Sequence, residues 1–135
     1  MKAVREYLPE GTPDPAALTK ALLNVELDLD TLIRIGVMLS NAKKRALLED
    51  DFGAAITVDR ILDAFWLYKD QLEAVRDHIA ERRGVDDEPA RADCRRQAWK
   101  AIGDDQLGEK AEALLKRLSA LASQMHARTS VGAQG

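Results

Sequence analysis

The chain is 135 residues long, 46% hydrophobic and 32% charged, with a formal net charge of −3. That apolar content is too high for a wholly disordered chain, and the length suits one domain that folds without a metal or a disulfide. A single cysteine, Cys94, excludes an internal disulfide framework and a zinc site built on thiolate pairs. The near-balanced charge lacks the basic excess of proteins that wrap duplex DNA.

The acidity lies at the front. Residues 1–30 carry Lys2, Arg5 and Lys20 against Glu6, Glu10, Asp14, Glu26, Asp28 and Asp30, whereas residues 31–135 hold 17 basic and 17 acidic side chains. No apolar run follows Lys2 and Arg5, so no secretory signal is expected, and no stretch is long and apolar enough to span a membrane. With one free cysteine, a cytoplasmic location is the expectation.

Every long periodic segment has the helical period, and none alternates as a strand would. All four prolines, Pro9, Pro13, Pro15 and Pro89, fall outside the long segments. The expected fold is therefore all-α: an antiparallel bundle of four to five helices, with one long central helix at about 54–83 and coiled-coil-like heptad seams.

Residues 1–13 read as a flexible N-terminus. Asp14 as N-cap and Pro15 at the first helical position start a short helix running to about Asn24, with Leu18, Leu22 and Val25 on one side. VELDLD then reads as an interruption, and Asp28 or Asp30 as the cap of a second helix. The seam of that helix is Leu32, Ile35, Leu39, Ala42 and Ala46, broadened by Ile33, Val37 and Leu47. Gly36 in mid-helix costs about 1 kcal/mol relative to alanine, and a close helix approach is its expected reason. EDDFG at 49–53 reads as a turn. The central helix follows, with Val58, Ile61, Phe65, Tyr68, Leu72, Val75 and Ile79 in alternating steps of three and four, closed by Gly84 as a left-handed cap. VDDEP at 85–89 reads as a linker, followed by a helix from about Pro89 to Ile102. A last helix, capped by Asp104 or Asp105, has a seam of Leu107, Ala111, Leu114, Leu118, Leu121 and Met125. The domain expected is 14–128, built of hairpins 29–83 and 89–128, with a disordered tail at 129–135.

The catalytic inventory is thin. His78 and His126 each lack a second histidine at metal-ligand spacing, and no Glu-x-x-His pair occurs. Carboxylate pairs such as Asp59 and Asp63 interleave with Arg60 and Lys69 as on a solvated face. There is no Gly-rich phosphate loop and no nucleophile elbow. No metal, cofactor, membrane or enzymatic activity is expected.

Two segments carry candidate contacts. AFWLY at 64–68 is apolar at five successive positions, which point all around a helix in 100° steps and cannot share one core. Phe65, Trp66, Leu67 and Tyr68 are therefore the protein-interaction candidates, the partner being another protein or a second copy in a homodimer. RADCRRQAWKAI at 91–102 places Arg91, Arg95, Arg96 and Lys100 around Trp99, and these five are the nucleic-acid candidates. The leading expectation is a non-enzymatic protein-protein interaction module, self-association included. The Ala-, Arg- and Asp-rich composition suits a bacterial or phage accessory role. The alternative is a nucleic-acid-associated factor using helix 91–100.

Overall fold

A computed structural model describes residues 2–8, 14–84 and 88–134. Among them the chain forms five helices and no strand: α1 (Lys2–Tyr7), α2 (Pro15–Leu48), α3 (Phe52–Arg83), α4 (Glu88–Ala101) and α5 (Asp104–Gln134). The all-α bundle read from the sequence is the fold observed.

α2 begins where its caps dictate. The Asp14 carboxylate accepts a hydrogen bond from the Ala17 amide at 2.8 Å, and Pro15 takes the first helical position. The helix then runs 34 residues without a break. The interruption expected at VELDLD is absent, and the short first helix and the second helix are one. The reason is tertiary. Val25, Leu27 and Leu29 are buried, and so are the acidic Glu26 and Asp28 between them. Asp28 accepts from Lys110 Nζ of α5 at 2.5 Å and from the Tyr7 hydroxyl of α1, while Arg76 Nε of α3 stands 4.0 Å from Glu26 Oε1. Once partners from other helices meet these carboxylates, nothing in the segment opposes helix.

The turn between α2 and α3 is Glu49-Asp50-Asp51, shorter than the 49–53 expected. Asp50 adopts φ 57°, a left-handed conformation that aspartate tolerates better than most residues. The Asp51 carboxylate accepts from the Ala54 amide at 3.1 Å, which draws Phe52 and Gly53 into the start of α3. At the other end Gly84, at φ 80°, closes α3 as expected, with its amide bonded back to Ala80 and Glu81.

α2 and α3 pair antiparallel along their whole length. Lys43 bonds Asp59 at 2.6 Å near the turn, and Arg83 bonds Thr19 at 2.9 Å near the open end. Between these points Gly36 meets Phe65: a Cβ built on Gly36 would lie 2.5 Å from Phe65 Cζ. The close helix approach expected of Gly36 is thus a single aromatic ring seated on α2. The core runs through Leu18, Leu22, Val25, Leu29, Leu32 and Ile35 of α2 and Phe65, Tyr68, Leu72, Val75 and Ile79 of α3. Leu114, Leu118 and Ala122 of α5 complete it. Toward the turn the heptad seams loosen. Val58, Ile61 and Leu39 are partly buried, Ala42 is exposed, and Ile33, Val37 and Leu47, read as widening the buried face, are exposed.

α4 and α5 take different sides of the hairpin. α5 lies against α3, with Ala122 and His126 beside Thr57, Arg60 and Ile61, and Arg117 beside Tyr68. α4 packs on α2, where Ala98 is buried beside Leu23 and Leu27. Before Asp14, where no element was expected, α1 packs on α2 and α3 and buries Leu8. At the C-terminus the backbone stays helical to Gln134, through most of the stretch read as a disordered tail.

Candidate functional site

Of the ten large hydrophobic residues exposed among the described residues, nine lie between positions 33 and 67, on the turn half of the α2–α3 hairpin. They are Ile33, Val37, Met38, Leu47 and Leu48 on α2, and Phe52, Ile56, Trp66 and Leu67 on α3; the tenth, Leu115, is on α5. Single exposed apolar residues are ordinary, but a concentration on one half of one hairpin marks a contact surface.

The geometry of Trp66 follows from its neighbour. Phe65 is turned into the core and held against Gly36, so the next residue is carried 100° around α3. Two positions on, Tyr68 faces α5, and Trp66 points about 160° away from it. Trp66 is 58% exposed, packs edge-on against Phe65 with ring centroids 5.0 Å apart, and has Lys69 Nζ 5.8 Å from its ring centre. The same 100° stepping places Ile33, Val37, Lys44 and Leu48 within about 60° of one another on α2, and Phe52, Asp59, Asp63, Trp66 and Asp70 within about 60° on α3. These two rows, the second including Asp59 of the Lys43–Asp59 bridge, form a two-helix face turned away from α5.

The structure divides the four interaction candidates. Phe65 and Tyr68 are core residues, only 4% and 6% exposed, whereas Trp66 and Leu67 present surface. Leu67 stands on a different side from Trp66, along a groove of about 780 Å³ between α3 and α5 that Leu72, Ala120 and Leu121 also line. The alternating spacing already assigns Phe65 and Tyr68 to the seam and leaves Trp66 and Leu67 to another partner, and the burial divides the four residues the same way. Of the tip residues, reading EDDFG as a turn hides Phe52, while Leu48 and Ile56 fall off the heptad seams and carry no local signal that marks them.

The basic helix is arranged differently. Trp99 donates its indole N–H to Asp30 of α2 and stacks with Arg34, whose Cζ lies 4.5 Å from the ring centre. Arg96 pairs with Asp93 at 3.5 Å, and Lys100 is exposed. Arg91, Arg95 and Cys94 lie on the backbone of α4, but their side chains are outside the described residues. A second run of cations, Lys43-Lys44-Arg45, sits by the turn, about 24 Å along α2 from the Ala98 contact at Leu27.

A polar network fastens α1. Arg117 Nη1 donates to Glu6 at 2.8 Å and to the Tyr68 hydroxyl at 2.7 Å, and these bonds hold its guanidinium still more firmly protonated than usual. The Tyr7 hydroxyl is pushed above its ordinary value, first by burial and then by the Asp28 carboxylate that accepts its proton. These groups, with Lys110, line a pocket of about 450 Å³. Its two cations meet two carboxylates, so the charges balance, which suits a fastening between helices better than a binding site for a charged ligand. Among the described residues no group of three or more His, Cys, Asp or Glu side chains is placed to hold a metal ion, and no helix is long and apolar enough to cross a membrane.

Comparison with protein families, characterised proteins and solved structures gives no match for this chain.

Proposed function

We propose that the chain is a non-enzymatic docking module that binds another protein chain through the turn half of the α2–α3 hairpin. The observation that carries this reading is the concentration of exposed apolar residues there, with Trp66 at its centre and Leu48, 86% exposed, at its tip. Aromatic anchors of this kind contribute most where a partner removes them from water. α5 and α4 support the hairpin from other sides and leave this face open.

A photoreactive amino acid placed at Val37, in cells producing the protein, tests the reading. Adducts with another polypeptide are expected at position 37 and not at the exposed Glu112 of α5, and Trp66→Asp should remove them. Adducts formed equally at position 112, or unaffected by Trp66→Asp, would overturn it.

A further inference from the structure

Charge is segregated across the same face. From Thr31 to Leu48, α2 carries Arg34, Lys43, Lys44 and Arg45 and no acidic residue. The matching row of α3 carries Asp59, Asp63 and Asp70 around Trp66; Asp59 is bonded to Lys43 of the same chain and Lys69 to Glu73, so Asp63 and Asp70 carry the acidic edge and Lys44 and Arg45 the basic one. One edge of the face is therefore basic and the other acidic, with apolar residues on both. Such a surface is complementary to itself when turned by a two-fold axis, because the basic edge of one copy then meets the acidic edge of the other.

The register within the hairpin makes this specific. The Lys43–Asp59 bond and the Gly36–Phe65 contact fix which residues of α2 and α3 stand at one level. A two-fold axis parallel to the helices preserves those levels. It sets Lys44 of one copy beside Asp59 of the other, and Val37 within about 3 Å, along the axis, of the other copy's Trp66. The tips, each with Leu48 and Phe52, come together at the same end. An axis across the helices would instead lay basic α2 on basic α2, which repels.

We infer that the occupant of this face is a second copy of this chain, α2 of each copy lying on α3 of the other in a four-helix seam; this rests on the docking reading above. The apolar rows supply the contact and the charged edges fix its orientation, as core and flanking positions do in paired helices.

The test is the mass in solution, by light scattering over about 1 to 200 µM, a range that spans micromolar affinities. The wild-type chain is expected to rise from 14.9 kDa to twice that mass. Trp66→Asp should remain at the single-chain mass and keep the wild-type helical circular-dichroism spectrum, while the melting temperature of the wild type alone rises with concentration. Asn41→Glu with Lys44→Glu puts two carboxylates into the basic edge, and Asp59→Lys with Asp63→Lys puts two ammonium groups into the acidic one. Each pair alone should weaken association at least tenfold, and an equal mixture of the two should restore it as a mixed dimer. A wild-type chain at 14.9 kDa throughout, or doubly charged variants that self-associate as the wild type does, would overturn the inference. A single-chain mass together with Trp66-dependent adducts at position 37 would leave the docking reading standing with a different protein as partner. The absence of both would remove the two together.

Discussion

Gly36→Ala is the sharpest test of how the hairpin is assembled. On an exposed helix the change would stabilise by about 1 kcal/mol, because glycine gives up more backbone freedom than alanine on folding. Here the added Cβ would lie 2.5, 2.8 and 2.9 Å from Phe65 Cζ, Cε2 and Cε1. Ordinary carbon contacts are about 3.5–4.0 Å, so the ring must retreat by about 1 Å. It has nowhere to go: Phe65 is 4% exposed, with Leu62 and Ala64 buried beside it. Overpacking of this kind costs about 1–3 kcal/mol, and because three ring atoms clash at once, the upper part of that range applies. After the propensity gain the net loss is about 1–2 kcal/mol. At about 3–5 °C per kcal/mol for a chain of this size, the midpoint should fall by about 3–10 °C in a calorimetric or circular-dichroism melt. Phe65→Leu, which shortens the group opposite, should make Gly36→Ala less costly in the double variant than in the single. A melting temperature that rises in Gly36→Ala would refute the close approach of α2 and α3 at this point.

Three other perturbations probe separate parts of the molecule. Arg76→Ala removes a cation 4.0 Å from the 1% exposed Glu26 and should cost about 1–3 kcal/mol in a urea titration, with Glu26→Gln recovering part of the loss in the double variant. Tyr7 holds its proton more tightly folded than unfolded, so its contribution is complete below its unfolded value of 10.0 and is lost as pH rises above it. Stability should then fall more steeply in the wild type than in Tyr7→Phe, by about 1.4 kcal/mol per pH unit, as read from denaturant titrations on both sides of that pH. Trp99→Phe deletes the indole donor to Asp30 and should lower stability by about 1 kcal/mol, and equal midpoints for the two proteins would show that α4 is held by packing alone.

Periodicity made the architecture legible because the residues that build the core recur at helical steps and no proline interrupts them. Caps with local chemistry were also readable: Asp14 with Pro15, and Gly84, act on backbone groups within a few positions. What the sequence concealed depends on partners far away in the chain. VELDLD looks like a break until Lys110, Tyr7 and Arg76 arrive from three other helices to meet Asp28 and Glu26. α1 is invisible for the same reason, since six residues carry too little periodicity and its order comes from Tyr7 and Glu6 bonding to α2 and α5.

The candidate face was half legible. Five apolar residues in a row at 64–68 announce that some must leave the core, the seam spacing names Trp66 and Leu67 as those, and the seating of Phe65 on Gly36 is the contact that fixes it. Ile33 and Val37 fit a broadened seam by spacing, and they are exposed because none of the described helices covers that side of α2. Trp99 shows the converse. Its setting among arginines suggested an outward contact, but Asp30 and Arg34 of α2 hold it within the chain.

The docking of another chain on the turn half of the hairpin is tested most directly by oxidative footprinting of the protein inside cells that produce it, compared with the dilute purified chain. Trp66 and Phe52 are expected to be protected in the cell, while Leu115, exposed on α5, reacts equally in both samples. Equal reactivity of Trp66 and Phe52 in both samples, or protection centred on Leu115, would contradict the assignment of this face.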